Sequence, residues 1–290
     1  MVAPDGDLMK KIALIISFLL GIFVCLIAHY FFSDRCIIFP HVSKKYNYQA
    51  LFTPKQHLER LKTRGKFACD APKTLIVCCD DGLLKNVAEQ YHTQACEGYT
   101  GTIYFLTDYP SVALTKFGLT SPLNAMGLDL VIAWGVKQVI FIGTACSLQK
   151  NLSCGDLIVV ERSIRDEGTS YHYLPYSKYV YPSEKLTDKL LLALKNMNMP
   201  YTFGTIWTTD GFYRETEPEI VQYQKEGVLG VEMETAGLFS VAAFNHIDIV
   251  ALLTVTDSFA NLKYEKAVDY KEKKLKTLEN FFEIALKIAS

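Results

Sequence analysis

Three features of the 290-residue chain predict an α/β fold, a three-layer α/β/α sandwich around a central mixed, largely parallel sheet, preceded by one transmembrane helix. From Lys73 onward, short apolar runs of strand length alternate with helical patterns, the order that puts a sheet between two helical layers. Polar residues gather just after those runs, at Asp80-Asp81, Gly143-Thr144, Asp210 and Asp257, where α/β sheets bind their ligands. Before Lys73 stands an almost unbroken apolar stretch, Ile12 to Phe32.

Composition narrows the function. Half of the residues are hydrophobic and 21% are charged, a globular balance. A net charge of −1 gives no electrostatic case for nucleic acid. The eight cysteines include no C-x-x-C pair, so no metal site is expected, and Cys78-Cys79 read as core thiols suited to a reducing compartment.

Residues 1–11 are an N-terminal tail. Residues 12–32 have the length of a membrane-spanning helix, longer than the apolar core of a cleaved signal, and no small-x-small cleavage site follows. The expectation is a single-pass membrane protein anchored through this helix, with a cleaved signal or a buried helix as alternatives. Lys10 and Lys11 draw the N-terminus to the cytosol while Arg35, Lys44 and Lys45 pull the other way. A cytosolic catalytic domain is the preferred orientation. Residues 33–72 form a connector with one short helix, capped by Thr53, opened by Pro54 and faced by Leu58 and Leu61.

Residues 73–290 form the main domain. Strands are expected at Thr74–Cys79, Gly101–Leu106, Gln138–Ile142, Asp156–Val160, Thr202–Thr208 and Ile249–Val255. Helices are expected at Leu83–Tyr91, Asn124–Trp134, Leu186–Met197, after Glu234, and at Ala267–Ile288, whose lysine-rich face reads as solvated.

The stretch Gly230-Val-Glu-Met-Glu-Thr-Ala-Gly-Leu-Phe239 sets two carboxylates in apolar company. Glu232 and Glu234 are either a helix entry favoured by the dipole or a site for polar ligands, with Met233 as an apolar surface beside it. Gly143-Thr144 reads as a turn offering N–H groups and a hydroxyl, or as an ordinary strand exit. Asp257 is a loop cap or a general acid. Tyr173, Phe212 and Tyr213 are core aromatics or stacking partners for a flat heterocycle. Together they describe recognition of a sugar joined to a planar base. No Walker A loop, G-x-G-x-x-G or G-x-S-x-G is present, which argues against kinases, dinucleotide enzymes and esterases.

Val231-Glu-Met-Glu-Thr-Ala236 resembles the ribose-binding signature of the nucleoside phosphorylase superfamily. Gly118-Leu-Thr-Ser-Pro122, Gly143-Thr-Ala-Cys-Ser-Leu148 and the segment Gly155 to Pro175 resemble further family segments, in order. The resemblance covers Lys73 to the C-terminus. It implies that Glu234 and Asp257 are catalytic, Glu234 holding the ribose hydroxyls and Asp257 protonating a purine at N7. It implies substrate contacts from Glu232, Met233, Tyr173, Phe212, Gly143, Thr144 and Ser258. No cofactor is implied, phosphate being the co-substrate. The partners implied are a nucleoside and further copies of the chain in a dimer, trimer or hexamer, with His57 as a candidate residue donated to a neighbouring copy.

The phosphate half departs from the family pattern. Its first arginine segment reads Cys79-Asp-Asp-Gly-Leu-Leu-Lys85, and Phe141 stands where a second arginine is common. Thr144 and Lys85 remain as phosphate ligands, Lys85 as a point charge rather than a bidentate fork. Asp80 or Asp81 is the candidate base for water in a phosphate-independent nucleosidase. The expected reaction is phosphorolysis of a nucleoside, with a purine favoured. Hydrolysis and nucleoside binding without turnover are the alternatives.

Overall fold

The structure, a computed structural model, describes residues 7, 14–24, 40, 42 and 44–289. The chain divides into two compact units, Met1–Ser43 and Lys44–Ser290.

In the first unit, residues 14–24 form helix α1, with Leu14, Phe18 and Phe23 exposed. The rest of the expected span 12–32, and its flanking Lys10, Lys11 and Arg35, lie outside the described residues. Among the described residues no helix is long and apolar enough to cross a membrane. This corrects the expectation of a transmembrane helix, a membrane partner and a single-pass membrane location.

The second unit opens with the expected short helix, α2 (Pro54–Lys62). Thr53 and Gln56 form a reciprocal capping box, Pro54 occupies the first turn, and Leu58 and Leu61 are buried. Then come β1 (Thr74–Cys78), α3 (Asp81–Gln90), β2 (Thr93–Glu97), β3 (Thr102–Leu106), β4 (Val112–Lys116), α4 (Ser121–Trp134), β5 (Gln138–Ser147) and β6 (Leu157–Asp166). The chain continues with β7 (Tyr179–Val180), α5 (Glu184–Asn196), β8 (Thr202–Thr209), α6 (Glu217–Lys225), β9 (Gly230–Glu232), α7 (Thr235–Asn245), β10 (Asp248–Ser258), β11 (Glu265–Lys266) and α8 (Tyr270–Ala289).

One mixed sheet holds the eleven strands found among the described residues, in the order β11-β10-β6-β8-β9-β5-β1-β4-β3-β2 with β7 beside β6. At its centre β4, β1, β5 and β10 run parallel. Their side chains alternate between two cores, as strand geometry requires. Leu75, Val77, Val139, Phe141, Ala251 and Leu253 face the layer of α2, α4 and α7. Ile76, Cys78, Ile140, Ile142, Val250 and Leu252 face α3, α5 and α8. Helices thus cover both faces here, as expected.

The sheet does not stay open. β5 pairs with β10 along its length and with β9 at its end, and β10-β6-β8-β9 completes the ring. Five strands therefore form a closed circuit, which a flat sandwich does not contain. Closure requires β5 to be long. It runs five residues past the expected end at Ile142, so Gly143-Thr144 lies inside a strand, paired with Leu253 and Thr254, rather than in a turn. Glycine is needed at 143 because a Cβ there would come within 2.7 Å of the Phe141 ring and 2.9 Å of Leu253.

Candidate active site

Two clusters gather on the strands flanking β5. Cys146 of β5 is the register partner of Val231 on one side and Asp257 on the other. With adjacent strands about 4.8 Å apart, the backbones of Val231 and Asp257 are about 10 Å apart. That distance suits a sugar held at one strand and its attached base at the other.

The first cluster is the entry to α7. Glu232 is buried at the end of β9 and all its acceptor capacity is used inside the protein. It accepts from the backbone N–H groups of Glu234 (2.7 Å) and Thr235 (2.8 Å) and from the hydroxyls of Thr208 (2.5 Å) and Thr235 (2.7 Å). Ser163 and the Ala236 N–H extend this network to β6 and α7. Glu232 therefore locks the helix entry, and the orphan N–H groups of the first turn explain why a buried carboxylate is tolerated there.

Glu234 is aimed differently. It is the N-cap residue of α7, and its carboxyl accepts from the N–H of Thr120 (2.8 Å) and of Met233 (3.2 Å). Burial, then the charge of Glu232, pushes its pKa up to about 8. Thr120 belongs to the turn Gly118-Leu119-Thr120, which holds φ of +116° at Gly118 and +77° at Thr120. Only glycine fits at 118, where a Cβ would stand 2.4 Å from Leu123. Ser121 donates to the Met233 carbonyl at 2.9 Å, and a Cβ on Gly237 would come within 2.8 Å of Ser121. The two helices meet almost backbone to backbone, and this contact sets the position of Glu234.

The second cluster surrounds Asp257. β10 continues to Ser258, so Asp257 sits on a strand, past a register shift between Val255 and Asp257, rather than on a loop. Such irregularities re-aim side chains. Its carboxyl accepts from Thr256 Oγ1 at 2.7 Å. Tyr264, Lys266 and Glu215 lie within its electrostatic reach. Ser258 accepts from the Ala260 N–H at 3.0 Å.

Other expected residues are placed less directly. Tyr173 is part of the core beside α7, its ring edge-on to Phe244 at 5.7 Å and its hydroxyl donated to Asp129 at 2.6 Å. Phe212 is exposed and packs edge-on with Tyr213 at 4.8 Å. Thr144 is half-buried on β5. His57 lies between Phe52 and Tyr99, 5.5 and 5.1 Å away.

The phosphate side holds no free cation at the expected positions. Lys85 is 72% exposed and pairs along its own helix with Glu89 at 3.8 Å. Phe141 is fully buried in the core. Asp80 caps α3 through the Leu83 N–H and pairs with Lys274 at 2.5 Å. Burial raises the Asp80 pKa, but Lys274 and the Leu83 N–H outweigh it and the net direction is down, the wrong one for a base. Asp81 pairs with Lys116 at 2.7 Å. These pairs lie near Glu234, since the Cys79 thiol sits in the fields of both Glu234 and Lys274. A cavity of about 260 Å³ opens beside them, lined among others by Asp81, Lys116, Thr100, Thr102, Tyr104 and Gly118.

Sequence reading gave no role to Thr120, Thr208, Thr235, Glu215 or Lys274. Thr120 and Thr235 lie inside the quoted segments Gly118–Pro122 and Val231–Ala236; the other three come from distant segments that carry no local signal.

A family model described as the phosphorylase superfamily matches residues 73–290. The chain is 33% identical over 195 residues to a purine nucleoside phosphorylase DeoD-type of Thermoanaerobacter sp. (strain X514), covering 66% of this chain and 80% of the relative. Among solved structures, an AMP nucleosidase from Bacteroides thetaiotaomicron is similar with a TM-score of 0.63, 27% identity and 80% and 98% of the two chains covered. A uridine phosphorylase from Vibrio fischeri shares the fold with a TM-score of 0.67, 24% identity and 75% and 92% coverage.

Proposed function

The chain belongs to the phosphorylase superfamily, and from that premise we propose that it cleaves the N-glycosidic bond of a purine nucleoside by phosphorolysis, releasing free base and ribose 1-phosphate. It is a pentosyltransferase with phosphate as co-substrate and no cofactor. The observation that carries this reading is the placement of β5 between the strand of Glu232 and that of Asp257.

In the proposed mechanism Glu234 accepts hydrogen bonds from the ribose hydroxyls, with Met233 against the sugar. Glu232 holds the helix entry and does not itself need to reach the substrate. The carboxyl of Asp257 donates a proton to N7 of the leaving base, so the bond to C1′ breaks as positive charge builds on the ribose, as in other glycosidic cleavages. Phosphate then attacks C1′, and Thr144 of β5 is the candidate hydroxyl to receive it. Phe212 offers a face for the base. A homo-oligomer belongs to the same reading, with His57 as the candidate contribution to a neighbouring copy's site.

A second reading, hydrolysis, is favoured by one observation. The apolar Phe141 and the outward, paired Lys85 leave phosphate without cations at two expected positions. The lowered pKa of Asp80 and its pairing with Lys274 weigh against that residue as the water base. Incubating the protein with inosine, adenosine and uridine, each with and without phosphate, tests the proposal. Purine release that needs phosphate supports it, and equal release without phosphate favours hydrolysis.

A further inference from the structure

The loop between β8 and α6 carries a carboxyl that the mechanism above leaves unused. Glu215 follows Phe212 and Tyr213 on that loop and is only partly exposed. Its neighbours are held firmly. Arg214 N–H bonds the Gly211 carbonyl at 2.6 Å, and Thr216 forms a capping box with Glu219 at the start of α6. Asp257 and Glu219 are the charged groups facing it, and the Cys146 thiol on β5 lies in the fields of both Asp257 and Glu215. Among the described residues no hydrogen bond or ion pair reaches the Glu215 carboxyl. Burial and the Asp257 charge push its pKa up to about 7. An acceptor kept partly out of water, beside a second carboxyl and without a donor of its own, is incomplete until a ligand supplies the donor.

We propose that Glu215 is a specificity residue of the base pocket, accepting the exocyclic N–H of a 6-aminopurine next to the N7 that Asp257 protonates. The inference rests on the purine nucleoside reading above. In a purine, N7 and the substituent at C6 share one edge, so a group beside Asp257 meets position 6. An amino group there donates to a carboxylate, whereas an oxo group presents lone pairs to it. The aromatic pair Phe212 and Tyr213, on the same turn, supplies flat apolar surface where the ring would lie. Specificity of this kind is strong when a site's polar group is left unpaired by the wrong ligand.

The test uses the full chain and its Glu215→Gln and Glu215→Asp variants, with thermal unfolding as a check on folding. Two quantities are read: the adenosine-to-inosine ratio of kcat/KM, and the dissociation constants of free adenine and hypoxanthine by calorimetry. Glu215→Gln is expected to lower the kcat/KM ratio about tenfold or more and to weaken adenine about tenfold relative to hypoxanthine. Glu215→Asp, which keeps the carboxylate, is expected to retain more of the preference. Ratios unchanged within about twofold, the reverse order of the two variants, or no binding of either base by the wild-type chain overturn the proposal. If the wild-type chain cleaves no nucleoside, the proposed function falls, and the binding constants of the two bases still decide the role of Glu215.

Discussion

Two glutamates two residues apart, Glu232 and Glu234, do different work, and their hydrogen bonds show why. Glu232 has four donors from the protein itself. Glu232→Ala is predicted to leave two hydroxyls and two N–H groups without their acceptor, at about 1–3 kcal/mol for each one that water does not reach. A fall in Tm on the order of 10 °C, seen by calorimetry, is the expected outcome. Glu234 accepts from two backbone N–H groups and has a raised pKa, and its effect should appear with pH. Its folded-state pKa, about 8, is above the 4.5 of the unfolded chain. The folded state then holds the extra proton, so the stability it contributes is complete below about pH 4.5 and is lost as pH rises toward 8. Glu234→Gln should flatten that decline in a series of melting curves from pH 4.5 to 8.5, and an identical slope in both proteins would remove Glu234 as its source. Asp257→Asn should lower purine nucleoside turnover about 10²-fold or more without a comparable loss in Tm, and an unchanged rate would exclude it as the acid.

At the scale of elements, the contact of α4 with α7 positions Glu234. Gly237→Ala puts a Cβ 2.8 Å from Ser121 and 3.2 Å from its backbone Cα, so one helix must move. The expected cost is about 1–3 kcal/mol, with a rise in KM as the Thr120–Glu234 bond loosens. A variant with unchanged KM would show that this contact does not set the site. The same elements show what the amino-acid order reveals. The capping pattern Thr53-Pro54 and the apolar runs of β1, β3, β5, β6, β8 and β10 are local signals, and the structure contains each of those elements. β2, whose five residues include only one that is buried, lacked an apolar run and was not legible. β4 was hidden for a different reason, since Val112–Lys116 stands between turn residues and ends on a lysine. The ends of β5 and β10 were misjudged because Gly143-Thr144 and Thr256-Asp257 have the composition of turns. Ring closure holds them extended, and only tertiary pairing records it.

At the scale of the molecule, among the described residues, every strand and both cores that cover the sheet lie within 44–289. A chain beginning at Lys44 is therefore predicted to fold with a cooperative melt, and loss of that transition would show that the preceding residues are needed. The cluster around Glu232 and Glu234 was legible as a candidate because its carboxylates sit in one contiguous motif. The positions expected to hold phosphate were read as a departure from the family pattern, and the structure gives that departure a physical form. Phe141 is core, Lys85 is surface, and Asp80 and Asp81 are neutralised by Lys274 and Lys116. The central claim is that phosphate nevertheless attacks the sugar held by Glu234. Its most direct test is the dependence of base release on phosphate, with the full chain, a purine nucleoside and the sugar product identified. The predicted result is release that rises from near zero with added phosphate and yields ribose 1-phosphate. Release at the same rate without phosphate, with free ribose as product, would contradict it.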